Sequence, residues 1–208
     1  MSTARTGVVP TRQRGRDRVE ALIEAGAHVF AGRGFHAATM TEIAEAASTA
    51  IGSLYRFFPT KELLADAVFG RYADAMLLEL DALSERAPRL DPAALAEALV
   101  ECMMQQRPYR DAAVALADER DDGPMLRLRL RASIRDKVGH VLAATGLPAA
   151  QAARMAPMVL QAMKAVPFLL REGLDRQATL AEAKRMIGTY IAGSMPAPGG
   201  TACAEAGS

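Results

Sequence analysis

The stretch that decides the fold reads Thr39-Met40-Thr41-Glu42-Ile43-Ala44-Glu45-Ala46-Ala47-Ser48-Thr49-Ala50-Ile51-Gly52-Ser53-Leu54-Tyr55-Arg56-Phe57-Phe58-Pro59-Thr60-Lys61. Thr39 and Glu42 form a T-x-x-E capping box, which predicts a helix opening at Met40. That helix has room for two turns before Ser48-Thr49-Ala50, which can turn the chain. A second short helix follows over about 51–58, and Pro59 ends it. Two short helices joined by a three-residue turn suit a helix-turn-helix, in which the first helix braces against the backbone of DNA and the second enters the major groove. An ordinary corner between two helices fits the same spacing. Gly52 is a poor choice for helix stability, costing about 1 kcal/mol relative to Ala. It makes sense where the helix backbone must approach a partner. Ser53, Tyr55 and Arg56 offer donors for phosphates or base edges. Lys61, with a helix starting at Thr60, makes a phosphate seat.

Upstream, Val19, Leu22, Ile23, Ala27 and Phe30 mark an apolar stripe over about 16–31, and Gly32-Arg33-Gly34 is expected to stop that helix. Residues 1–15 read as a flexible basic arm. Downstream, helix follows helix: about 61–83, 92–106, 109–117, 124–144, 148–172 and a last one to about 192. Pro stands at several of the starts. Pro157 and Pro167 are expected to kink the eighth helix. Thr179 and Glu182 form a second capping box for the last. Residues 196–208 read as a disordered tail. The expectation is an all-α, nine-helix, two-domain protein with a three-helix head (16–76) and a six-helix body (77–195).

Composition supports this. The chain has 208 residues, with 43 Ala against 17 Val plus Ile, and alanine favours helix where β-branched residues favour strand. Cys102 and Cys203 are too few and too distant for a disulfide framework, which fits a reducing cytoplasm. No apolar run reaches the roughly 20 residues of a membrane span. The formal charge is only +1, but it is uneven. Residues 1–18 hold five arginines against one aspartate, whereas residues 19–62 hold three basic against five acidic residues. Bulk attraction to DNA should therefore be modest, and binding should depend on a few placed contacts.

Residues 16–76 resemble the DNA-binding head of tetracycline-repressor-type (TetR) transcription regulators. The resemblance rests on Thr39, Ile43-Ala44, Ala47, Gly52, Leu54-Tyr55, Phe57-Phe58 and Lys61, and on Phe30-Ala31-Gly32-Arg33-Gly34-Phe35 upstream. The family's usual Gly-Val-Ser turn is replaced by Ser48-Thr49-Ala50, where Thr49 or Ser48 can still cap the second helix. The resemblance implies that Thr39, Tyr55 and Lys61 bind phosphates. It implies that Ala50, Ile51, Ser53 and Arg56 face base edges or the backbone beside them, with Gly52 allowing close approach and with Thr41 and Thr49 also among the DNA-binding residues. Ile51 either touches a thymine methyl or packs against the first helix. Arg12, Arg14 and Arg16 either follow the DNA backbone or belong to a solubilising tail.

The resemblance also implies a homodimer on a palindromic operator, joined through the last two helices. Leu160, Met163, Val166, Leu169, Leu170, Met186, Ile187 and Tyr190 are its candidates, with intrachain core as the other reading. A small, mainly apolar effector would bind the body near Met103, Met104, Tyr109, Met125, Leu128, Met158 and Phe168, although Met at helical spacing is also ordinary core. The expected function is a repressor released by that effector, with an activator of the same fold as the alternative. An enzyme or a protein-binding adaptor is the remoter alternative. His28, His36 and His140 form no metal-binding pair, no Ser or Cys has a base partner, and no cofactor is expected.

Overall fold

The computed structural model describes residues 13–195 except position 106. Residues 1–12 of the expected arm, Arg12 among them, and the expected tail at 196–208 lie outside the described residues. Among the described residues the chain forms nine α-helices and one 3-10 turn, with no strand. The helices are α1 (Gln13–Ala37), α2 (Met40–Ala46), α3 (Ile51–Phe57), α4 (Lys61–Arg86), α5 (Pro92–Met104), α6 (Arg107–Glu119), α7 (Gly123–Ala144), α8 (Ala149–Arg171) and α9 (Arg176–Ala192). The all-α expectation and the helix order hold.

Two compact units divide the chain. One comprises Met1–Leu78 with Gln105–Ser133, the other Glu79–Met104 with Ile134–Ser208. This division differs from the head and body read from the sequence, because α6 packs along α1. The stripe Ala112, Ala113, Leu116 and Ala117 is buried in that unit. Small side chains let helix axes approach closely, and most of that stripe is alanine. Gly26 serves the same end between α1 and α4, since a Cβ there would lie 3.3 Å from Val68 Cγ2. Leu22, Phe30, Leu64 and Val68 complete the core of this unit.

α1 is longer at both ends than the sequence indicated. It runs through Gly32, and the backbone leaves helical geometry only at Gly34 (φ 77°, ψ 174°). Tertiary packing overrides the cost of a helical glycine here. Arg14 and Arg16 consequently sit on the first turns of α1, and not in an arm preceding it.

In the second unit, α5, α8 and α9 pack on one another. Asp91 caps α5 by accepting the Ala94 N–H at 2.8 Å. α8 continues unbroken across Pro157 and Pro167. α9 starts earlier than expected, with Asp175 accepting the Ala178 N–H at 2.6 Å. The Thr179–Glu182 box is therefore not the cap. Thr179 N–H makes an ordinary helical bond to the Asp175 carbonyl, and Glu182 pairs with Arg185. No helix among the described residues is long and apolar enough to cross a membrane.

Candidate nucleic-acid interface

The Thr39 capping box forms as read. Thr39 Oγ1 accepts the Glu42 N–H at 3.2 Å, and Glu42 Oε2 accepts the Thr39 N–H at 3.0 Å. The hydroxyl also donates to Glu42 Oε2 at 3.0 Å, and Arg33 pairs with the same carboxylate at 3.1 Å. These bonds from Thr39, with Arg33 adding to them, hold the Glu42 carboxyl below the usual carboxylate range. Met40, Ile43 and Ala44 bury the inner face of α2, while Thr41 is exposed.

The turn closes in an unexpected way. Ser48 N–H donates to the Glu45 carbonyl and Thr49 N–H to the Ala44 carbonyl, both at 2.9 Å. That is a Schellman cap, and it requires a left-handed residue at its centre. Ser48 takes that conformation, at φ 49°. Neither Ser48 nor Thr49 caps α3. The Thr49 hydroxyl donates to the Ala47 carbonyl at 3.2 Å, and Ala50 stands at the N-cap position without a side-chain bond. The Ala50 carbonyl accepts the Ser53 N–H at 2.8 Å, so the start of α3 is held by backbone alone, without a side-chain cap.

α3 divides into two faces. Leu54 and Phe57 are buried, whereas Ile51, Gly52, Tyr55 and Arg56 are exposed on one side. Ile51 is 39% and Tyr55 48% exposed, so Ile51 does not pack away against α2. Among the described residues, a Cβ added at Gly52 would meet nothing within 4 Å, so none of them requires a glycine there. Arg56 lies 4.7 Å from the centre of the Phe57 ring. Ser53 is half-buried, and its buried Oγ has no hydrogen-bond partner among the described residues.

Lys61 does not stand free as a phosphate ligand. Its Nζ donates to the carbonyls of Phe35 at 2.7 Å, Ala38 at 2.9 Å and His36 at 3.2 Å, and it lies 4.7 Å from the centre of the Phe35 ring. An ammonium has three protons, and all three are used. Lys61 closes the C-terminal end of α1. Thr60 beside it caps α4 by accepting the Leu63 N–H at 3.3 Å. His36 turns its ring to the Glu119 carbonyl at 2.9 Å. His28 is exposed on α1, and Arg14 and Arg16 are exposed as well.

The remaining candidates separate by burial. Of the expected dimer residues, Leu160, Met163, Val166 and Ile187 are core, because they lie on the faces by which α8 and α9 meet their own neighbours. Leu169 and Leu170 are half-buried, and Met186 and Tyr190 are exposed. The outer face of α8 instead presents Met158 (63% exposed) and Phe168, two residues expected in the effector site. Met103 is buried and Met104 half-buried in the second unit. Tyr109 is half-buried, with Met125 and Leu128 exposed, in the first. Burial, aided by the nearby carboxylates of Glu24 and Glu20 and opposed by Arg71, pushes the Tyr109 hydroxyl pKa up. Arg127, Arg129 and Arg131 are exposed on α7, and Arg127 is tied to the Ala117 carbonyl at 2.7 Å and to Asp118.

Two residues with evident roles carried no signal in the sequence. Glu119 and Arg120 fall between the helices expected over about 109–117 and 124–144, yet Glu119 bonds to His36 and Arg120 pairs with Asp66. Only spatial proximity reveals them.

Residues 22–68 match the model of the bacterial regulatory proteins, tetR family. The HTH-type transcriptional repressor KstR2 of Rhodococcus jostii (strain RHA1) is 37% identical over 68 residues, which cover 29% of this chain and 33% of the relative. The match thus spans about a third of that relative's length. A transcriptional regulator (TerR/AcrR family) from Aquifex aeolicus VF5 superimposes with a TM-score of 0.68 at 14% identity, over 83% of this chain and 99% of the other. A SmeT–triclosan complex superimposes with a TM-score of 0.67 at 16% identity, over 84% and 91%. These structures share the fold.

Proposed function

We propose that this chain, whose N-terminal head belongs to the tetR family of bacterial regulatory proteins, is a sequence-specific DNA-binding transcription regulator. The observation that carries the reading is the outward face of α3. Among the described residues nothing would meet a side chain at Gly52, and Ile51, Tyr55 and Arg56 surround it in the open. A helix entering the major groove needs such a face, with a close-approach point amid apolar and donor groups. Ile51 supplies apolar contact suited to a thymine methyl. Tyr55, Arg56 and Thr41 supply donors for base edges or phosphates. Arg14 and Arg16 supply cations beside the duplex backbone.

One head of this size offers few contacts, so binding is expected from a homodimer on a palindrome, with two recognition helices about one turn of DNA apart. The outer faces of α8 and α9 suit that assembly. Met158, Gln161, Ala165 and Phe168 follow one another at helical spacing, as do Met186 and Tyr190, and all are exposed. The core residues Leu160, Met163, Val166 and Ile187 support that face from beneath.

The regulator acts as a repressor in the cytoplasm, released when a small, mainly apolar effector binds the body. The relative KstR2 is a repressor by name, and SmeT was solved with triclosan bound. An effector acts only through its differential affinity for the two states, and a coupling of about 1–3 kcal/mol lowers operator affinity about 5–150-fold. Selection of bound duplexes from random sequence tests the reading. Enrichment of a two-fold symmetric site supports it. Recovery of unenriched sequence contradicts it.

A further inference from the structure

A pair of charged residues at the end of α6, Glu119 and the following Arg120, reaches residues of α1 and α4. The Glu119 carboxylate lies against Gly34. Its Oε2 accepts the His36 N–H at 3.0 Å, and a Cβ on Gly34 would fall 2.0 Å from Oε1. The left-handed φ at Gly34 and the missing side chain together make room for this carboxylate. Arg120 follows. Its side chain is 8% exposed and pairs with Asp66 of α4 at 2.8 Å and with Asp122 at 2.9 Å. It also donates to the Glu62 carbonyl at 3.4 Å and stands 5.6 Å from the centre of the Phe35 ring. Lys61 holds the same ring and the three carbonyls of Phe35, His36 and Ala38. All of these residues belong to one compact unit.

The segment 35–38, the connector that follows the break in α1 at Gly34 and leads to α2, is thus fixed by charged groups from α4 and from the end of α6. Apolar packing is non-directional, whereas hydrogen bonds to charged groups constrain distance and angle. α2 begins at Thr39, three residues beyond His36, and the Schellman turn ties α3 to α2. The position of the connector therefore sets the position of α3.

We infer that Glu119 and Arg120 are positioning residues for DNA recognition, and that the head is incomplete as a DNA reader without the end of α6. This inference rests on the DNA-binding reading above. Sequence-specific contacts depend on placement, while non-specific attraction to phosphates is electrostatic and tolerant. Loosening the clamp should therefore lower specific affinity far more than non-specific affinity.

The test uses the full chain, the variants Glu119→Ala and Glu119→Gln, a duplex selected by the wild type, and a scrambled duplex of equal length. Glu119→Ala is expected to lose about tenfold or more on the selected duplex and less than about twofold on the scrambled one. Glu119→Gln keeps an acceptor oxygen and should recover most of the loss. Hydrogen exchange of the His36 amide should accelerate in Glu119→Ala, with the Phe30 amide unchanged. Equal losses on both duplexes overturn the inference, as does unchanged affinity for the selected duplex or an unaccelerated His36 amide. A wild type that selects no duplex defeats the DNA-binding reading itself. A wild type that selects one, joined by a Glu119→Ala chain that binds it equally, defeats only this inference.

Discussion

Lys61 Nζ and the Phe35 carbonyl are 2.7 Å apart, and two further carbonyls of the same connector complete the coordination of the ammonium. A lysine that looks like a phosphate ligand in sequence is here the closure of a helix end. Hydrogen bonds to charged groups contribute about 1.5–3 kcal/mol each way they are measured. Lys61→Met keeps the apolar stem and removes the ammonium, so it should lower unfolding free energy by about 2 kcal/mol in urea. A pure phosphate contact would leave stability intact and reduce the salt slope of DNA binding by about one. The two outcomes are opposite, and both are measured on the same variant.

Ser48 occupies a left-handed conformation that costs a residue with a Cβ roughly 1–2 kcal/mol. Ser48→Gly should therefore raise stability by about 1 kcal/mol. Denaturation midpoints of the two chains check this. An unchanged or lowered midpoint would mean that the Ser48 side chain contributes something that offsets the strain.

How far the sequence discloses the site can be judged from these two residues. The helix order, the Thr39 box and the apolar stripe of α1 follow from periodicity and capping, which are local. Local rules also placed Gly52, Ile51, Tyr55 and Arg56 on one short helix, and the structure exposes them together. The carbonyl partners of Lys61 lie 23 to 26 positions away, beyond the reach of any local rule. The grouping of α6 with the head was hidden for the same reason, since α1 and α6 are separated by four intervening helices. Burial on α8 escaped the pattern too. Leu160 and Met158 are both apolar, and only packing decides which one is core.

Glu42 gives a pH signature. Its carboxyl pKa is lowered by the bonds from Thr39 and, less strongly, from Arg33. A depressed pKa contributes stability above the unfolded-state value near 4.5, and that contribution is lost as pH falls through the folded-state value. The stability gap between wild type and Glu42→Gln should be present at neutral pH and should shrink as the solution is acidified below that region. A gap independent of pH would exclude an ionised carboxylate at the cap.

The outer face of α8 and α9 should tolerate charge in the folded chain but not in an assembly. Met158→Asp with Met186→Asp places carboxylates at exposed positions, where substitutions usually change stability by about 0.5 kcal/mol or less. Sedimentation should then report a monomer that retains its helical circular dichroism. Met163→Ala, by contrast, empties a fully buried site and should cost about 2–5 kcal/mol. A double aspartate variant that remains dimeric would move the interface elsewhere.

The central claim is that the open face around Gly52 receives DNA, and the affinity of wild type and Gly52→Ala for a duplex selected by the wild type tests it most directly. Alanine meets nothing within 4 Å inside the protein and favours helix by about 1 kcal/mol. The account predicts a variant that is as stable as the wild type or more so, yet binds the selected palindrome about tenfold or more weakly, a loss of about 1.4 kcal/mol. Equal affinity of the two chains for that duplex would contradict it.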